Sequence, residues 1–83
     1  MSATGYHPAV RVSKMALKYL EREGTELLTA RQVCRALQLP DRNDPRAPGE
    51  LRVWQLREMF ISPPNWLRKH HEHLDSHDVP QTQ

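Results

Sequence analysis

The stretch "PDRNDPRAPG", residues 40–49, limits the fold more than any other part of this chain. Pro40, Pro45 and Pro48 each remove a backbone donor and fix φ, so no helix or central strand runs through it. It has no apolar periodicity, and its charges alternate in sign. The chain is therefore read as two halves, each supplying its own helices, joined by a long loop.

The first half holds two helical patterns. From Val10 to Glu23, Val12, Ala16, Tyr19 and Leu20 repeat near 3.6 residues, with Met15 at the margin. Arg11, Lys14, Lys18 and Arg22 lie opposite, and Gly24 is a plausible stop. Pro8 suits a first helical turn. In "LLTARQVCRALQL", Thr29 is an N-cap and Gln32 completes a capping box. Leu28 and Val33 have the spacing of a hydrophobic staple. Val33, Ala36 and Leu37 point inward, Arg31 and Arg35 outward, and Cys34 behaves as a small apolar group. Pro40 is expected to end this helix.

In the second half, "ELRVWQLREMFI" reads as a helix with Val53, Leu56 and Phe60 on one face. Leu51, Trp54 and Ile61 form another, so this helix is central or partly an interface. A strand reading of "ELRVWQL" stays open, because Leu51 and Val53 alternate with Arg52. The last helix starts with Ser62 as cap and Pro63 in the first turn. Trp66, Leu67, His70 and Leu74 are its expected inward stripe, and it should end before Pro80.

With 83 residues the chain forms one small domain, and no apolar run nears the roughly 20 residues that span a bilayer. The start, "MSATGYHPAVR", lacks the apolar core of a secretion signal, so a cytoplasmic location is expected, or a nuclear one in a eukaryote. The expected organisation is a flexible N-terminus (1–9), a helical domain (10–77) and a disordered tail (78–83). One cysteine excludes an internal disulfide and a thiolate finger. A net charge of +2 permits nucleic-acid contact without requiring it. No nucleophile–base constellation or glycine-rich phosphate loop is present, so no catalysis and no cofactor are expected.

The capped helix Thr29–Leu39 resembles the first helix of a helix-turn-helix unit. The polar cap, β-branched residue, small residue and leucine of that pattern fall on Thr29, Val33, Ala36 and Leu37. The resemblance covers about residues 28–61. It implies an all-α bundle of three to four short helices, here with a long loop between helices 2 and 3. A winged-helix-like hairpin is the alternative, and the tight glycine turn of the family is missing. The implied function is a small transcriptional regulator binding duplex DNA. Its second helix would read base edges through Arg52, Gln55 and Arg57. Arg31, Arg35, Lys14 and Lys18 would hold phosphates.

The competing expectation is a protein-binding adaptor or inhibitor. It would dock through Leu51, Trp54, Met59, Ile61 and the loop, and the seam Leu51–Trp54–Ile61 would also serve a homodimer. No metal site is expected. His70, His73 and His77 share a helical face, but an exposed histidine-rich helix end explains them.

Overall fold

A computed structural model describes residues 5–41 and 43–78, with backbone alone for 75–78. The order is α1 (Lys14–Leu20), β1 (Leu27–Leu28), α2 (Ala30–Ala36), β2 (Leu51–Arg52), α3 (Val53–Ile61) and α4 (Asn65–Asp78). The fold is thus mostly helical but not all-α. β1 and β2 form a small antiparallel pair, with Leu27 opposite Arg52 and Leu28 opposite Leu51. Both readings of "ELRVWQL" are partly right: Leu51 and Arg52 pair as strand, and the helix begins at the next residue.

α2 follows local chemistry. Thr29 Oγ1 accepts from the Gln32 amide (3.1 Å), and Gln32 Oε1 accepts from the Thr29 amide (2.8 Å). Leu28 and Val33, the two ends of the staple, are fully buried. The helix ends earlier than Pro40 requires. Gln38 takes a left-handed backbone (φ 61°). Its amide donates to the Arg35 carbonyl (3.1 Å) and the Leu39 amide to the Cys34 carbonyl (3.1 Å). This is a Schellman ending with glutamine where glycine is usual, and Leu39 is buried beyond it.

α1 begins four residues later than Val10. Ser13 Oγ accepts from the Ala16 amide (3.1 Å), and the residues before it are used elsewhere. The His7 amide donates to the Phe60 carbonyl (2.7 Å), and the Tyr6 ring lies 6.0 Å from that of Phe60. The Arg11 amide donates to His71 Nδ1 (2.8 Å). Residues 5–12 therefore form a strap across α3 and α4, not a loose start or a first turn. Residues 79–83, most of the expected tail, lie outside the described residues.

α4 begins at Asn65, after Pro64, rather than at Ser62. A residue before proline is pushed out of the α region, so Pro63, followed by Pro64, is disfavoured as a first helical residue and Ser62 caps no helix there. The Pro64 carbonyl accepts from the Leu67 and Arg68 amides instead (3.0 and 3.1 Å). The inward stripe also differs from the expected one: Leu67 and His71 are fully buried, while Trp66, His70 and Leu74 are half-buried.

α1 packs against both α2 and α3. Between them lie Ala16, Leu20, Val33, Leu37, Val53, Leu56 and Phe60, all buried. The predicted inner faces of α2 and α3 are both present in this core.

Candidate functional site

α3 was expected to carry both the base readers and the apolar seam, so its polar side chains decide between two functions. Its start is closed by the turn after α1. The Trp54 amide donates to the Gly24 carbonyl and the Val53 amide to the Glu26 carbonyl, both at 2.9 Å. The Arg52 amide donates to Gln55 Oε1 (2.8 Å), which repeats the Thr29–Gln32 reach-back one helix later. These donors would otherwise be free at a helix N-terminus.

The three expected readers are all engaged within the molecule. Arg52 Nη1 donates to the Thr25 carbonyl (2.9 Å), and Gln55 is the reach-back acceptor just described. Arg57 Nη2 donates to the Leu20 carbonyl, at the C-terminal end of α1, where a cation also meets the negative end of the helix dipole. One signal of this was present in the sequence: glutamine three residues after an extended residue, as at Thr29–Gln32. The Arg57 contact spans 37 positions and left no local trace.

The apolar residues behave differently. Trp54 is 51% exposed, Leu27 48% and Ile61 37%. Trp54 and Ile61 lie two turns apart on the outer face of α3, with exposed Glu58 between them. Leu51 and Met59, also expected at the seam, are half-buried and packed on the core.

The expected phosphate contacts lie on α1 and α2. Lys14, Lys18, Arg31 and Arg35 are all exposed. Arg31 and Arg35 sit one turn apart beside an open cleft of about 480 Å³, completed by Cys34, Leu39 and Pro40. Neither guanidinium has a hydrogen bond or ion pair among the described residues. Arg22 is taken up by Glu26 (2.8 Å) and lies over the Tyr19 ring. The Cys34 thiol is buried and donates to the Leu39 carbonyl (3.8 Å), as a structural thiol does.

His70 Nε2 donates to the Gln38 carbonyl (2.8 Å), His73 is exposed, and the His77 side chain is outside the described residues. Among the described residues no three potential ligands come together for a metal ion. His71, which the sequence reading did not single out, is fully buried. Its Nδ1 accepts from Arg11, so the ring proton sits on Nε2, which donates to the Leu37 carbonyl (2.9 Å).

The loop after α2 is organised by its own acids. Asp41 accepts from the Asn43 amide (2.9 Å), and Asp44 accepts from the Arg46 amide (2.9 Å). The Arg46 guanidinium makes two further bonds to Asp44 (3.0 and 2.7 Å) and lies over the Trp66 ring, 5.5 Å from its centre. Those bonds hold the Asp44 carboxyl well down, at about 2.

Among the described residues no helix is long and apolar enough to cross a membrane. Compared with known proteins, the chain matches no family model, no curated protein and no solved structure.

Proposed function

We propose that this chain is a non-enzymatic protein-docking module, an adaptor or inhibitor that seats a partner protein on the outer face of α3. One contrast carries the reading. The three side chains expected to read bases, Arg52, Gln55 and Arg57, are tied to the molecule's own backbone, while the tryptophan of α3 is half exposed. A large amphipathic ring held on a fixed helix is the kind of residue that dominates binding energy at an interface. Ile61 extends the apolar surface two turns along the same helix face.

The test is Trp54→Ala. The ring contributes little to the core, so the variant should keep its helical circular dichroism and melt within about 0.5 kcal/mol of the parent, as surface changes do. Capture of a specific partner by the immobilised protein, after nuclease treatment, should be lost. An unchanged set of captured proteins removes the reading.

A second reading, a helix-turn-helix-like regulator on duplex DNA, is favoured by the Arg31–Arg35 pair. Two exposed, unneutralised guanidinium groups beside a cleft suit phosphate. Lys14 and Lys18 would add to them. Base reading by Arg52, Gln55 and Arg57 would first cost their internal hydrogen bonds, about 1–3 kcal/mol each where the donor is charged. Contacts of this kind thus favour phosphate binding over sequence preference.

A further inference from the structure

The apolar face of α3 has a carboxylate at its centre. Trp54, Glu58 and Ile61 follow at i, i+4 and i+7, which places Glu58 midway along a stripe about 10 Å long. Glu58 is exposed and has no hydrogen bond or ion pair among the described residues. Its helical neighbours at three and four residues are Trp54, Gln55, Ile61 and Ser62, and none is a cation. Arg57, next in sequence, is turned away to the Leu20 carbonyl. Any protein that covers both Trp54 and Ile61 therefore also covers an uncompensated charge, which is costly unless the partner supplies its opposite.

This arrangement argues against a second copy. A symmetric contact that buries Trp54 and Ile61 of both chains has its two-fold axis near Glu58, and a residue on the axis meets itself. The two carboxylates would face each other, and like charges across an interface repel.

We propose that the docking segment carries an arginine between two apolar side chains. The guanidinium meets Glu58, and the apolar pair seats against Trp54 and Ile61. Arginine suits the place better than lysine for two reasons. Its planar fork matches a carboxylate with two parallel bonds and is more weakly hydrated. It also stacks on an indole face, and Trp54 lies one turn from Glu58. This inference rests on the docking reading above and adds the chemistry of the partner.

The probes are two helical peptides on an alanine–glutamine background. One bears Leu, Arg and Leu at i, i+4 and i+7, and the other has glutamate in place of the arginine. Binding is followed by the indole N–H resonances of the full chain, where Trp66 serves as the internal control. The arginine peptide should move the Trp54 resonance and leave that of Trp66 in place. It should bind about tenfold or more tightly than the glutamate peptide, and Glu58→Lys should reverse that order. Equal binding of the two peptides, or an order that survives Glu58→Lys, overturns the proposal. If neither peptide moves Trp54 while Trp54-dependent capture persists, the arginine is wrong and the docking face stands. If capture does not depend on Trp54, both fall together.

Discussion

His71 joins three parts of the chain with one ring. It takes the Arg11 amide on Nδ1 and gives Nε2–H to Leu37, so the strap, the end of α2 and α4 meet at a single fully buried side chain. A leucine there keeps roughly the volume but removes the acceptor of the Arg11 amide and the donor to the Leu37 carbonyl. Each unsatisfied buried group costs about 1–3 kcal/mol, so His71→Leu should lose about 2–4 kcal/mol in urea unfolding. That is a large share of the margin available to a chain this small. A variant within about 0.5 kcal/mol of the parent would show that the ring is not a joint. The residue is invisible in the sequence because neither contact is local. Arg11 lies 60 positions away and Leu37 lies 34. His70 fits the helical stripe as well as His71 does, and only the packing of α4 against the strap and the end of α2 selects between them.

Among the elements, those fixed by neighbours were legible and those fixed at a distance were not. The cap, box and staple of α2 all lie within Leu28–Val33, and each is present. The buried face of α3 follows from three apolar residues. The two-residue strands carry no periodic signal, since their pairing joins positions 27–28 to 51–52. The site shows the same division. The second apolar face left Trp54 and Ile61 open between core and interface, and the carbonyls that occupy Arg52 and Arg57 had no sign in the sequence. The loop offers a test of local order by pH. The Asp44 carboxyl, held at about 2 by Arg46 against an ordinary value of 3.8, is ionised in both folded and unfolded chains above about pH 4. Its contribution to the loop is therefore complete there and is lost as the pH falls from about 4 to 2. The Arg46 amide resonance should hold steady down to pH 4 and then move with a midpoint near 2. A midpoint at the ordinary carboxylate value would mean that the Asp44–Arg46 contacts do not persist in solution.

For the molecule as a whole, charge separates the two functional readings. A net charge of +2 gives little general attraction to a polyanion, so duplex binding would depend on a few local contacts. If Arg31, Arg35, Lys14 and Lys18 all engage phosphates, log K should fall against log salt with a slope of about −3 to −4. Replacing Arg31 and Arg35 with alanine should make that slope shallower by about 2. A fluorescence anisotropy titration at micromolar protein decides the matter. An absence of salt-dependent binding leaves the α3 face as the surface to pursue.

The strap also sets an order of events on the ribosome. Residues 5–12 leave the exit tunnel before α3 and α4, yet two of the groups that hold them, the Phe60 carbonyl and the His71 ring, belong to those helices. Until α4 has emerged, Tyr6 and Val10 have no complete surface to cover, and α1 has no fixed approach. The strap is thus among the last parts of the fold able to reach its native place, and its docking waits on the synthesis of α4.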